Sequence, residues 1–314
     1  MNDHSRLLSL FALATAAMAT SCEKTPEASP KASIAVEAAK PVSTVTPAPS
    51  PSVPATPKPI YWTEALLNAE IKLHNPGYEG NGQAQLDNGV PMALMLRGAK
   101  IENLAFVDKM KTLLALDLGD TPVSDLRPLK GLKLIELYLE NTRVKDISSL
   151  KGMPMQKLYL SGSPIMDLGP LEGMPLEELN AVKILAADLT PLGKSPIKML
   201  WLTDTPVESI TALKTVPLVS LTLHRTRVKD LSPLSGTALQ RLHIAETPVE
   251  DLSPLKGMSL TRLVFTPGNI KAGMDVARTL PLQEIGTKFE DGAKDLGPPA
   301  VFWGAYDAPT PPVK

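Results

Sequence analysis

The chain has 314 residues, among them 48 Leu and 31 Pro but only 13 aromatics and one Cys. A single Cys excludes an intramolecular disulfide framework and any multi-Cys metal or iron–sulfur site. A formal charge of -1 excludes an overall basic field of the kind that holds nucleic acid. Pro at about twice its usual 5% frequency needs an explanation by location.

Residues 1–22 read as an export signal. A polar start, Met1 to Arg6, precedes an apolar run from Leu7 to Ala19, too short for a membrane span of about 20 residues. Two processing sites compete. Ala17-Met18-Ala19 is an A-x-A site, and Ala19-Thr20-Ser21-Cys22 resembles a bacterial lipobox, with Ala19 where Leu is usual. The lone Cys falls at the one position the second reading needs, so Cys22 is the expected lipidation site of a lipoprotein. The implied localisation is the cell envelope, periplasmic or surface-facing, with the membrane touched only through this anchor.

Residues 23–59 hold nine Pro among Ala, Ser and Thr, with no aromatic. Such a segment cannot bury enough to offset its ordering entropy, and an extended tether is expected. Residues 60–90 are assigned to an N-terminal cap. Tyr61 to His74 reads as an amphipathic helix whose core stripe is Trp62, Leu66, Ala69 and Leu73. Asp87-Asn88-Gly89 is a hairpin turn into the first coil.

Residues 91–285 are a repeat. Blocks start at Leu113, Leu134, Met155, Leu176, Ile197, Leu218, Leu239 and Leu260, at a constant interval of 21 residues. The block from Leu239 reads LQRLHIAETPVEDLSPLKGMS, and the others follow L-x-x-L-x-L-x-x-T-x-V-x-D-L-x-P-L-x-G-x-x. A degenerate block precedes them (Leu94, Leu96, Ile101, Leu104, Val107, Met110), and a partial one follows (Leu282, Ile285). Alternating Leu at block positions 4 and 6 is a strand with one buried face. Asp at position 13 caps a short turn, Pro at position 16 suits its first residues, and Gly at position 19 suits its exit. No single coil can bury its Leu face, so neighbours stack into an α/β solenoid with a parallel sheet along one side. About ten coils at ~4.8 Å per strand give a rod roughly 45 Å long.

These blocks resemble bacterial leucine-rich repeats of the short internalin-like class, in the T-x-V-x-D-L-S-P-L-x-G-M-P-L variety of planctomycete and related proteins. Thr or Ser (Thr121, Thr142, Ser163, Thr205, Thr226, Thr247) stands where that class usually has Asn, and its hydroxyl is expected to satisfy a backbone group at the bend. The flanking Asn75-Pro76-Gly77-Tyr78-Glu79-Gly80 and Pro298-Pro299-Ala300-Val301-Phe302-Trp303 resemble the same proteins. The resemblance implies a leucine-rich-repeat solenoid that binds other molecules. Kinase domains often accompany such repeats, but this chain has no Gly-rich phosphate loop, H-R-D or D-F-G motif.

The C-terminal cap and tail take residues 286–314. Ile270 to Leu280 reads as helical, and a Pro-initiated helix carrying Phe302, Trp303 and Tyr306 follows a polar loop. Seven aromatics (Tyr61, Trp62, Tyr78, Phe289, Phe302, Trp303, Tyr306) lie in the end segments, as lids on the open ends of a Leu core.

Function in such a scaffold falls to the outward strand positions of the concave face. Position 5 gives Asp117, Tyr138, Tyr159, Asn180, Trp201, Thr222, His243 and Val264. Tyr138, Tyr159 and Trp201 form an aromatic stripe suited to a protein partner or, alternatively, to stacking on a glycan. Packing of the two Tyr across strands is the competing reading. Asp117, Asp120, Glu136 and Glu140 make one end of the face acidic. Arg225, Arg241 and Arg262, with His224 and His243, make the other end basic, a dipole that would orient a partner. His224 and His243 near Asp204 and Glu246 are two imidazoles on a polar sheet, and no metal or other cofactor is expected. No G-x-S-x-G or H-E-x-x-H occurs, so no enzyme activity is expected. The expectation is a monomeric binding module for an unidentified protein. One block departs from the pattern, with Ile184, Ala186 and Lys194 replacing Thr, Val and Gly. Leu185 then either twists the coil or adds an apolar spot at the rim.

Overall fold

The computed structural model describes residues 60–288 and 296–308. The leader, Cys22, the tether and Phe289 lie outside the described residues.

Eleven strands form one sheet in strict chain order. Strands β1 (Gln83–Asp87) and β2 (Val90–Met95) are antiparallel, joined by Asn88 and Gly89 at φ 47° and 78°. This is the hairpin that the Asp-Asn-Gly sequence specifies, since its turn needs two left-handed residues. The next nine strands are parallel: β3 (Ala115–Asp117), β4 (Glu136–Tyr138), β5 (Lys157–Tyr159), β6 (Glu178–Asn180), β7 (Met199–Trp201), β8 (Ser220–Thr222), β9 (Arg241–His243), β10 (Arg262–Val264) and β11 (Glu284–Gly286). Leu116, Leu137, Leu158, Leu179, Leu200, Leu221, Leu242 and Leu263 pair in series at a 21-residue offset. The offset is 22 at each end, Leu94↔Leu116 and Leu263↔Ile285.

Opposite the sheet, each coil returns through a short 3-10 turn, such as Arg127–Leu129 or Ser253–Leu255. The Asp at position 13 starts it. Asp125, Asp146, Asp167, Asp188, Asp230 and Asp251 each accept the N–H two residues on, at 2.7–2.9 Å. That acceptance satisfies a donor the turn leaves orphaned. Pro128, Pro170, Pro191, Pro233 and Pro254 stand in the first turn, as their missing N–H allows. Gly131, Gly152, Gly173, Gly236 and Gly257 close the turns at φ between 71° and 84°. The irregular coil lacks such a residue. Gly193 ends its turn at φ -62°, ψ -14°, Lys194 follows, and the strand register survives.

Thr at position 9 does the work expected of it. Thr121, Thr142, Thr205, Thr226 and Thr247 donate to the carbonyl three residues back at 2.6–2.9 Å, all buried beneath the bend. The core is one continuous cluster from Trp62 to Ile285, with Phe302 and Trp303 packed against it.

The N-cap helix α1 (Glu64–His74) corrects the expected stripe. Leu67, Glu70 and Ile71 face the core, with Trp62 just before the helix, whereas Leu66, Ala69 and Leu73 are exposed. The helix starts three residues later than read, after its N-cap Thr63, and carries apolar residues on two sides. Packing therefore chose between two stripes. Glu70 is tolerated inside because Lys109 Nζ (2.8 Å) and His74 Nε2 (3.2 Å) bind it. Asn75 bolts the helix to the first coil, donating to Asn103 O (2.8 Å) and accepting from Glu102 and Asn103 N–H (2.9 Å each).

At the far end, the helix expected over 270–280 shrinks to α2 (Met274–Thr279). Lys271 and Ala272 instead pair with Glu250 in extended form. Gly273 then takes φ +76° where a Cβ would lie 2.3 Å from Ser253 N. Helix α3 (Pro299–Asp307) begins on its Pro as expected and sets Phe302 6.0 Å from Phe265. Arg278 lies 4.3 Å over Trp303 and pairs with Asp307 at 2.6 Å. Of the six described lid aromatics, Trp62 and Tyr78 are buried and Phe302 and Trp303 pack on the core. Tyr61, at 70% exposed, lies beside the hairpin Gly89 and outside the core.

Candidate functional site

Strand alternation places the position-5 side chains on the concave face, and the structure adds how deep they lie. Asp117, Tyr138, Tyr159, Thr222, His243 and Val264 are all buried, while Asn180 and Trp201 are half-exposed. Strands ~4.8 Å apart bring large neighbours into contact, so a residue can point away from the main core and still lose its water.

Tyr138 and Tyr159 show this. Their rings stack 4.6 Å apart at 11°, in a second apolar cluster with Ala93, Ala115 and Met95. Their hydroxyls donate to Glu136 Oε2 (3.2 Å) and Glu178 Oε2 (2.8 Å). Glu136, fully buried, also meets Lys157 Nζ at 3.1 Å. Within the expected stripe the Tyr pair is packed, each ring taking the other's face, and Trp201 stands apart.

The acidic end is organised around a residue that the repeat pattern did not expose. Arg97 places Nε 3.0 Å from Asp117, Nη1 2.7 Å from Asp120 and Nη2 2.7 Å from Glu140. Burial works against the Arg97 charge, but the three carboxylates outweigh it and raise its pKa. Burial pushes Asp117 up, against the pull of Arg97. Arg97 lies in the 22-residue first coil, so it falls out of register in a 21-residue alignment.

The basic end is also partly paired. Arg225 grips Asp204 through Nε (2.5 Å) and Nη2 (2.8 Å), and this hydrogen bonding holds Asp204 below the usual carboxylate range. Arg262 Nε meets Glu284 at 2.6 Å. His224 is buried beside Arg225 (Nε2 to Nη1, 2.9 Å), and burial followed by that charge lowers its pKa. Arg241, half-exposed, has no carboxylate within 4.0 Å among the described residues. Among the described residues no group of three metal-ligating side chains occurs.

What stays accessible is a strip across the middle of the face. Val182, Met199, Trp201, Ser220 and Arg241 are all half-exposed. Met199 and Trp201 share β7, and Ser220 and Arg241 continue the position-3 row beside Met199. Sequence reasoning named Trp201 and Arg241 and missed Val182 and Met199, whose signal was an apolar residue where neighbouring coils carry charge or hydroxyl. Leu185 keeps its coil in register, with its N–H on Ile165 O at 2.9 Å, and stands 53% exposed beside Met166 at 72%.

Solved structures provide the comparison. Internalin InlF of Listeria monocytogenes superposes with TM-score 0.53 at 25% identity, over 62% of this chain and 67% of that one. The fold is that of a leucine-rich-repeat solenoid. Internalin C2 of the same organism gives TM-score 0.53 at 22% identity, over 64% of this chain and 92% of its own. A plant ice-binding protein shares the coiled architecture at 12% identity and TM-score 0.51. Comparison with protein-family models and with curated protein sequences gives no match.

Proposed function

We propose that this chain is an exported, lipid-anchored leucine-rich-repeat module that holds a protein partner against the middle of its concave face. Cys22 is the proposed acylation site and residues 23–59 the tether. The strip of Val182, Met199 and Trp201, bordered by Arg241, is the proposed contact. One observation carries the reading: much of the rest of the face is engaged in its own ion pairs, hydrogen bonds and stacked rings, whereas this strip joins an accessible Trp to a cation without a carboxylate. Half-exposed Trp and Arg are the residue types most enriched among binding hot spots. A matching partner offers an apolar side chain with a carboxylate beside it. Tyr138, Tyr159, Asp117, Asp120, Glu136, Glu140 and His243 then shape and stiffen the face, while Arg225 and Arg262 tune its charge. No catalysis, cofactor or metal enters this reading.

Crosslinking on whole cells, followed by mass spectrometry, is the test. A partner captured by the native chain and lost with Trp201→Ala supports the reading. Capture that survives Trp201→Ala together with Arg241→Ala overturns it. Glycan-array binding that depends on Trp201 would replace the protein with a sugar. Metabolic labelling with a fatty-acid analogue, abolished by Cys22→Ser, tests the anchor separately.

A further inference from the structure

The lysines of this chain fall into distinct sets by place in the coil. Several near the sheet and the caps are paired: Lys100 with Glu79, Lys109 with Glu70, Lys157 with Glu136, Lys271 with Glu250, whereas Lys72, Lys145, Lys183 and Lys229 are scattered and exposed. A second set lies where each coil leaves its 3-10 turn and heads for the next strand. Lys130, Lys151 and Lys256 are the first residues after their turns, Lys214 lies in the last part of its own, and Lys133 and Lys194 follow close behind. All six are exposed, and among the described residues none has a carboxylate within 4.0 Å. The turn Asp residues cannot reach them, being engaged at the opposite end of the turn by the N–H two residues on. Two acids interrupt the flank, Glu172 and Glu177, and Lys198 already holds Glu177 at 2.9 Å. The coil repeat strings the lysines into a row of roughly 29 Å along one side of the solenoid.

We infer that this flank docks on a bilayer surface bearing anionic headgroups. Lysine is depleted from protein interfaces, and a protein partner would need an apolar anchor. This flank supplies none: the exposed large apolar residues, such as Leu73, Met166, Leu185 and Val301, all lie elsewhere. A single-stranded nucleic acid would need aromatic platforms, also missing here. Hydrated ammonium groups spread along a line fit an anionic lipid surface, which attracts each basic residue without dehydrating it. The near-zero net charge conceals the row because most of the acids sit on other surfaces. Docking by this flank would leave the concave face open, and it depends on neither the partner proposal nor the Cys22 acyl chain.

The test is vesicle flotation of the full chain carrying Cys22→Ser, so that no acyl group contributes. Vesicles of phosphatidylglycerol with phosphatidylcholine are compared with phosphatidylcholine alone, at low and high salt. Expected is salt-sensitive binding to the anionic vesicles only, weakened at least about tenfold by Lys130→Glu, Lys151→Glu and Lys214→Glu combined. The matched triple Lys145→Glu, Lys183→Glu and Lys229→Glu, on the other side of the turns, should weaken it far less. Circular dichroism melts verify that both triples fold. Equal binding to both vesicle types, equal loss from both triples, or tighter binding to duplex DNA than to the anionic vesicles would overturn the proposal.

Discussion

The two halves of the concave face use the same strand positions for opposite ends. In the N-terminal half, Arg97 gathers three carboxylates, Lys157 meets Glu136, and the Tyr rings stack. In the C-terminal half, Arg225 and Arg262 hold their own carboxylates, but Arg241 does not, and Trp201 has no stacked neighbour at its own position, which is Asn180 on one side and Thr222 on the other. Polar and charged residues on a solenoid face therefore do not report a binding surface by themselves. What matters is whether neighbouring coils already complete them.

Removing the centre of the closed half should have the largest effect. Arg97→Ala strands Asp117 and Glu140, both buried, and is expected to cost about 3 kcal/mol in chemical denaturation. Trp201→Ala, in the open half, should reverse that balance. Partner affinity falls by about 2 kcal/mol, roughly thirtyfold, with a smaller loss of stability. If Trp201→Ala destabilised the fold as much as Arg97→Ala, the contrast between the halves would collapse. Arg241→Glu should reduce affinity by about 1 kcal/mol and flatten its salt dependence, with the melting temperature unchanged.

Acid should sharpen the comparison further. Hydrogen bonds hold Asp204 and the turn residues Asp125, Asp146, Asp188, Asp230 and Asp251 below their ordinary pKa. Depressed folded values mean that their stabilisation is present above the unfolded pKa of about 3.9 and is lost as pH falls below it. Asp117 runs the other way, since a raised folded pKa makes its ionised form the costlier one as pH rises. Melting curves should show stability dropping below about pH 4, and Asp117→Asn should soften the dependence above that point. The smallest effect is expected at Lys183, left-handed at φ 60°. Lys183→Gly relieves that strain and should stabilise by up to about 1 kcal/mol.

The repeat, its strands, the Asp-started turns, the hairpin and the Pro-started helix were legible because each rests on a local rule. The misreadings share a cause, which is that periodicity assigns a direction and not a depth. Leu66 and Leu73 recur at helical spacing as well as Leu67 and Ile71 do, and only the fit to the first coil selected the second pair. Alternation put Tyr138 and Tyr159 on the outer face correctly, but their burial depended on each being the other's neighbour. Arg97 was hidden by one extra residue in the first coil.

That extra residue recurs at the far end, and between the two lies an unbroken run at 21. The rod is thus two fixed ends around interchangeable links. Excising the single block Met155–Pro175 would leave Leu137 facing Leu179 in unaltered register, with Tyr138 beside Asn180 in place of Tyr159. Such a molecule would be one strand spacing shorter, about 4.8 Å, with both caps still seated. The chain can grow or shrink by whole coils, as a ruler does by its divisions, and each step slides the Trp201 strip relative to the N-terminal cap.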